Sequence, residues 1–132
     1  MRWAGSETTI LDCDKGATDP VIFHIRLLDP IEGAKLSALI NEPASAALSA
    51  GERLGSPEVV ARLKAAEVSA YAEYVERIEG PLPDGAKEVE GKANVTAVLL
   101  RMVAHDFYEL TQKLSGAQSI TAVEGKVSVL QS

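Results

Sequence analysis

Along Val21-Ile-Phe-His-Ile-Arg-Leu-Leu28, apolar Val21, Phe23, Ile25 and Leu27 share one face, while His24 and Arg26 break the other. That period of two predicts a half-buried strand. Asp29-Pro-Ile-Glu32 follows at once. Asp29 can accept from the free N–H groups of a helix, Pro30 suits the first helical position, and Glu32 can reach back to the Asp29 N–H. Strand, corner and helix are thus encoded side by side. Upstream, Thr8-Thr-Ile-Leu-Asp-Cys13 is β-branched at its start, and the turn-rich Asp14–Pro20 separates it from Val21. It predicts a strand paired with Val21–Leu28 in an N-terminal hairpin whose loop is longer than a tight turn.

The first helix is expected from Pro30 to about Asn41, because Pro43 blocks continuation and disfavours helical geometry at Glu42. Residues 42–55, rich in Ala, Ser and Gly, then read as a connector with room for a short helical turn, marked by Gly51 and Gly55. Ser56-Pro57-Glu58 restarts a helix with a Ser cap, a first-turn proline and a first-turn acid. Val59, Val60, Leu63, Ala66, Ala70, Tyr71, Tyr74 and Ile78 can share a broad helical stripe, so one long helix is expected. A helix ending near Tyr71 with a strand over Tyr74–Ile78 is the alternative. Residues 80–93 form a second connector: Gly80-Pro-Leu-Pro-Asp-Gly85 forbids regular structure, and a polar stretch follows it. Asn94 is the candidate cap of a helix running from Val95 to about Leu114, closed by Ser115-Gly116. Leu99, Met102, Val103, Leu110 and Leu114 mark its apolar face, which Leu100 and Phe107 widen. Ile120–Val129 has β character and suits either a C-terminal hairpin or an extended arm. The expected architecture is one α+β domain over residues 1–132: an N-terminal β hairpin, three main helices and a C-terminal β hairpin or arm. Residues 1–7 and 120–132 are candidate interaction arms.

Composition narrows the function classes. Hydrophobic residues make up 46% of the chain but aromatics only 5%, so the core rests on Ala, Val, Leu and Ile, and assembly with partners becomes an attractive source of further burial. A net charge of −6 without a Lys/Arg cluster opposes nucleic-acid binding. No apolar run approaches the ~20 residues of a membrane span, and the N-terminus lacks the apolar stretch of a signal peptide. Cys13 is alone, so no internal disulfide forms, and synthesis in a reducing cytoplasm is expected.

Candidate chemistry is sparse. Asp12-Cys-Asp-Lys-Gly16 fails as a calcium loop, since Gly16, Ala17 and Phe23 stand where that loop needs an oxygen ligand, a glycine and a glutamate. His105 and Glu109 have the spacing of helical metal ligands, but a surface helix with Arg101–His105 and Glu109–Lys113 pairs accounts for them, and no metal is assigned. Asp106 falls inside the apolar stripe by the helical period, so it needs a cation: Arg26, Lys35 or one from a neighbouring subunit. Cys13 reads as a small buried residue of a strand rather than a nucleophile served by His24 or His105. No catalytic residue, cofactor site or metal site is assigned. Trp3, Asp106, Phe107, Val127 and Val129 are the candidate interface residues.

Three stretches carry a resemblance: Phe23-His-Ile-Arg-Leu-Leu28 leading into an acidic helix, Val75-Glu-Arg-Ile-Glu-Gly80, and the turn Pro83–Gly85 ahead of a final amphipathic helix. In this order of elements, from Val21 to Leu114, the chain resembles small tail-assembly and virion-assembly proteins of tailed bacteriophages. The resemblance implies a non-catalytic protein that binds other virion proteins as homo- or hetero-oligomers, either as a tail-assembly chaperone or as a component kept in the particle. The β-like C-terminal segment departs from the chaperone pattern and suits the structural component. The resemblance transfers no functional residues. The expected function is therefore non-enzymatic protein–protein interaction in a phage particle or its assembly, located in the host cytoplasm during synthesis and then in the virion. A small intracellular binding or regulatory module is the alternative, and a metal- or thiol-dependent enzyme the third reading.

Overall fold

Side-chain caps start the first two α-helices. Asp29 Oδ1 accepts the Glu32 N–H at 2.8 Å and Ser56 Oγ accepts the Val59 N–H at 3.3 Å, each followed by a proline in the first turn. The computed structural model describes residues 1 and 3–119. In chain order these form β1 (Gly5–Thr9), β2 (Ile22–Leu27), α1 (Pro30–Ser49), α2 (Pro57–Ala72), β3 (Val75–Glu79), β4 (Glu88–Glu90), α3 (Lys92–Leu99) and α4 (Ala104–Ser119). Short 3₁₀ turns occupy Asp12–Asp14 and Pro83–Gly85. The protein is α+β, with one antiparallel sheet ordered β1-β2-β3-β4.

The register separates the two faces of the sheet. Thr9, Phe23, Ile78 and Val89 lie in one row across the four strands, and Phe23 and Ile78 are buried. The neighbouring row, Thr8, His24, Arg77 and Glu90, points the other way. Helices cover the apolar face. Val68, Tyr71 and Ala72 of α2, Val95 and Leu99 of α3, and Phe107, Leu110 and Leu114 of α4 join Ile25, Val75 and Ile78 in one core. α1 packs against α2, where Leu36 meets Ala70 and Tyr74. The opposite face carries ion pairs: Arg77 to Glu79 at 2.7 Å and to Glu88 at 2.9 Å.

Several expectations are corrected. β1 spans Gly5–Thr9 rather than Thr8–Cys13, because Leu11 turns inward to the core and the chain leaves the sheet there. Gly5–Glu7, expected in a free arm, are therefore paired in the sheet. α1 runs through Pro43 to Ser49, so most of the connector expected at 42–55 is helix. A proline there removes the donor for the Leu39 carbonyl, at a cost of roughly 3 kcal/mol. Leu39 lies on an exposed turn where water can serve its carbonyl, and helix-favouring Ala44, Ala46 and buried Ala47 carry the helix onward. Glu32 does not close the capping box. It turns instead to the Tyr74 hydroxyl, Arg26 and Lys35.

The long helix expected to reach Ile78 stops at Ala72, and the alternative, a strand, is what forms. The register slips between His24 and Ile25, leaving Glu76 as an extra residue on β3. That bulge brings Val75 and Ile78 to the same buried side at a spacing of three, which imitates a helical period. The last helix is likewise two. A turn at Leu100–Val103 separates α3 from α4, Gly91 rather than Asn94 occupies the N-cap of α3, and Ser115-Gly116 lies within α4. The expected C-terminal hairpin or arm lies outside the described residues.

Candidate functional site

The break between α3 and α4 shapes an apolar concavity. Tight bonds from the Arg101 N–H to the Val98 carbonyl and from the Met102 N–H to the Leu99 carbonyl end α3. The chain then reverses and α4 begins on the Phe107 N–H bond to the Val103 carbonyl. Between α2 and α4, against this corner, lies a cleft of about 470 Å³. Val68, Tyr71, Leu99 and Phe107 form its buried floor. Tyr71 and Phe107 meet edge to face at 6.3 Å, and the Tyr71 hydroxyl reaches Ser115 Oγ at 3.5 Å. Lys64 stands 5.8 Å over the Phe107 ring and donates to Glu67 at 2.7 Å, so the one ion pair among the lining residues is self-satisfied. Leu100 and Tyr108 line the opening at 56% and 62% exposure, and Val103, in the turn between α3 and α4, is 64% exposed. A concave apolar floor with an exposed apolar rim is suited to binding apolar surface.

A second cluster sits on another face of α4. Glu109 Oε2 accepts the Asp12 N–H at 2.6 Å, and Lys113 reaches Asp12 at 3.5 Å and Glu109 at 3.8 Å. These contacts fasten the 3₁₀ turn at Asp12–Asp14 to the helix. Lys15 and Lys113 hold the Asp12 carboxyl below its usual range. The side-chain ligand atoms of His105, Asp106 and Glu109 all lie within 4.8 Å of one another. Cys13 is exposed in the turn, not buried in a strand as expected. Desolvation and the charges of Asp106, Asp14 and Glu109 push its thiol up, which lowers its thiolate fraction. Among the described residues no hydrogen bond joins it to either histidine; His24 instead meets Glu79 at 3.0 Å.

The proposed environment of Asp106 also changes. Its place in the apolar stripe assumed an unbroken helix from Val95. Because the turn resets the phase, Asp106 lands half-buried in the first turn of α4, where the helix dipole favours an acid. The cations expected beside it are engaged elsewhere: Arg26 stacks 5.0 Å over Tyr74 and faces Glu32, and Lys35 also pairs with Glu32. Arg101 pairs with Asp84 at 2.8 Å rather than serving His105.

Of the candidate interface residues, Phe107 lines the cleft and is buried, while Trp3 is 78% exposed just ahead of β1. Val127 and Val129 lie outside the described residues. Sequence reasoning missed Lys64, Val68, Tyr71 and Tyr108 as parts of one site, since they reach it from separate helices. The exposed aromatic Tyr108 beside Phe107 was the available signal. Among the described residues no helix is long and apolar enough to cross a membrane. Compared with family models, curated proteins and solved structures, the chain matches none.

Proposed function

We propose that the chain is a non-enzymatic protein–protein interaction module that self-assembles as a structural component or assembly factor of a tailed-bacteriophage particle. The observation that carries the interaction reading is the exposed pair Leu100 and Tyr108 lining the apolar cleft, with exposed Val103 in the turn between α3 and α4. Other exposed apolar residues, such as Ile31 and Leu48, lie along α1, away from this concavity. Scattered apolar residues are ordinary on a protein surface, whereas a gathered patch beside a concavity marks an interface. The phage setting rests on the resemblance in the order of elements. Repeated copies of one chain are the commonest way such a patch becomes covered, because symmetry lets one surface serve every subunit.

Size-exclusion chromatography with light scattering on the full chain, across a wide concentration range, tests the reading. The wild type should exceed the 14.0 kDa monomer mass as concentration rises. A Leu100→Asp, Tyr108→Ser variant should stay monomeric with an unchanged melting temperature. A wild type that remains monomeric throughout refutes self-assembly through this surface. A gene lying away from capsid, portal and tail genes removes the phage setting.

A further inference from the structure

We propose that His105, Asp106 and Glu109 form a binding site for one divalent transition-metal ion of the zinc type. The three side chains offer an imidazole nitrogen and two carboxylates, a mixed donor set rather than an acidic patch, with ligand atoms already within 4.8 Å of one another. Ligands at about 2.0–2.2 Å around a tetrahedral ion sit closer together than that, so small side-chain rotations close the site. Their placement follows from the fold. His105 and Glu109 are one helical turn apart, and Asp106 stands beside them because α4 starts at Ala104.

The local charge supports a cation. Asp106 and Glu109 lie in the same cluster, and the Glu109 side chain is only 17% exposed. Lys113 reaches Glu109 at 3.8 Å, but no hydrogen bond or ion pair ties His105 or Asp106 to another side chain among the described residues. Glu109 Oε2 is taken by the Asp12 N–H, which fixes that carboxylate and leaves its other oxygen for an ion. This orientation of a ligand by a backbone donor is the outer-shell support that metal carboxylates use. The α4 N-terminus opposes a cation only weakly beside three coordinate bonds. The imidazole selects against calcium and magnesium, which take oxygen ligands, and for the zinc group. His105 is exposed, so the remaining coordination positions face water.

Isothermal titration of the full-length protein with zinc chloride, repeated with cobalt chloride to read the d–d absorption, tests the site. The expected result is saturable binding of one ion per chain that excess magnesium and calcium do not displace. His105→Gln removes an exposed side chain and should weaken binding by about tenfold or more, the loss that even an outer-shell contact causes. His24→Gln, on the sheet, should bind like the wild type. Equal melting temperatures establish that both variants fold. No saturable binding by the wild type, or a His105→Gln titration identical to it, overturns the proposal.

Discussion

Gly80→Ala should be among the most damaging single-methyl additions to this protein. Gly80 leaves β3 with φ +126°, a backbone region that side chains rarely adopt. A Cβ built there would lie 2.7 Å from the Pro20 carbonyl oxygen and 3.0 Å from the Val21 Cα. Both atoms are backbone, so neither can swing aside. The clash falls where the chain enters β2, next to the Ile22–Glu79 pair and the Gly80 N–H bond to the Lys87 carbonyl at 2.9 Å. Strain in such a region costs about 1–3 kcal/mol, and forced overpacking costs a further ~1–3 kcal/mol. Together they remove a large share of the ~5–15 kcal/mol typical of a folded domain. At roughly 3–5 °C per kcal/mol for a chain of this size, the melting temperature should fall by at least ~6 °C. Gly33→Ala is the matched control. Gly33 is in α1, and its added Cβ meets nothing within 4 Å. There the same methyl should stabilise by ~0.5–1 kcal/mol. Thermal and urea unfolding of both variants decide the matter. A Gly80→Ala protein that melts within ~2 °C of wild type, with an unchanged urea slope, refutes the close approach.

Two further outcomes are expected. Asp29→Ala should cost roughly 0.5–2 kcal/mol, seen as a lower urea midpoint at constant slope, because the Glu32 N–H loses its acceptor. Hydrogen bonds from His24 and then Arg77 hold the Glu79 carboxyl below its ordinary range, so its stabilisation is present above the unfolded carboxylate pKa and lost as pH falls through the folded one. Glu79→Gln should therefore be less stable than wild type at neutral pH and converge with it in acid, measured as urea midpoints across pH.

What could be read from the sequence was the chemistry that acts between near neighbours. The strand around Phe23 and the caps at Asp29 and Ser56 depend on residues a few positions apart, and they form where expected. The failures share a different cause. Whether Pro43 ends a helix depends on what the following turn gains, and Ala47 gains burial. The bulge at Glu76 depends on the partner strand, and it disguises Val75 and Ile78 as helical neighbours. The turn at Leu100–Val103 occurs within an apolar run that local preferences would continue as helix. It alone brings exposed Leu100 and Tyr108 to the cleft and moves Asp106 to a helix start. The cleft therefore could not be read before the fold was known, although most of its residues were visible as apolar positions.

The order of the sheet also has a kinetic meaning. Pairing β1 with β2, or β3 with β4, closes short stretches of chain, but the central seam joins Phe23 to Ile78 across both α1 and α2. Each doubling of that intervening length costs only ~0.6 kcal/mol of closure entropy. The seam is nonetheless the contact that the chain must search longest to find. Two hairpins built early and welded late is the folding order that this topology favours. The stretch between α1 and α2 is accordingly where added residues would slow the weld while scarcely weakening it.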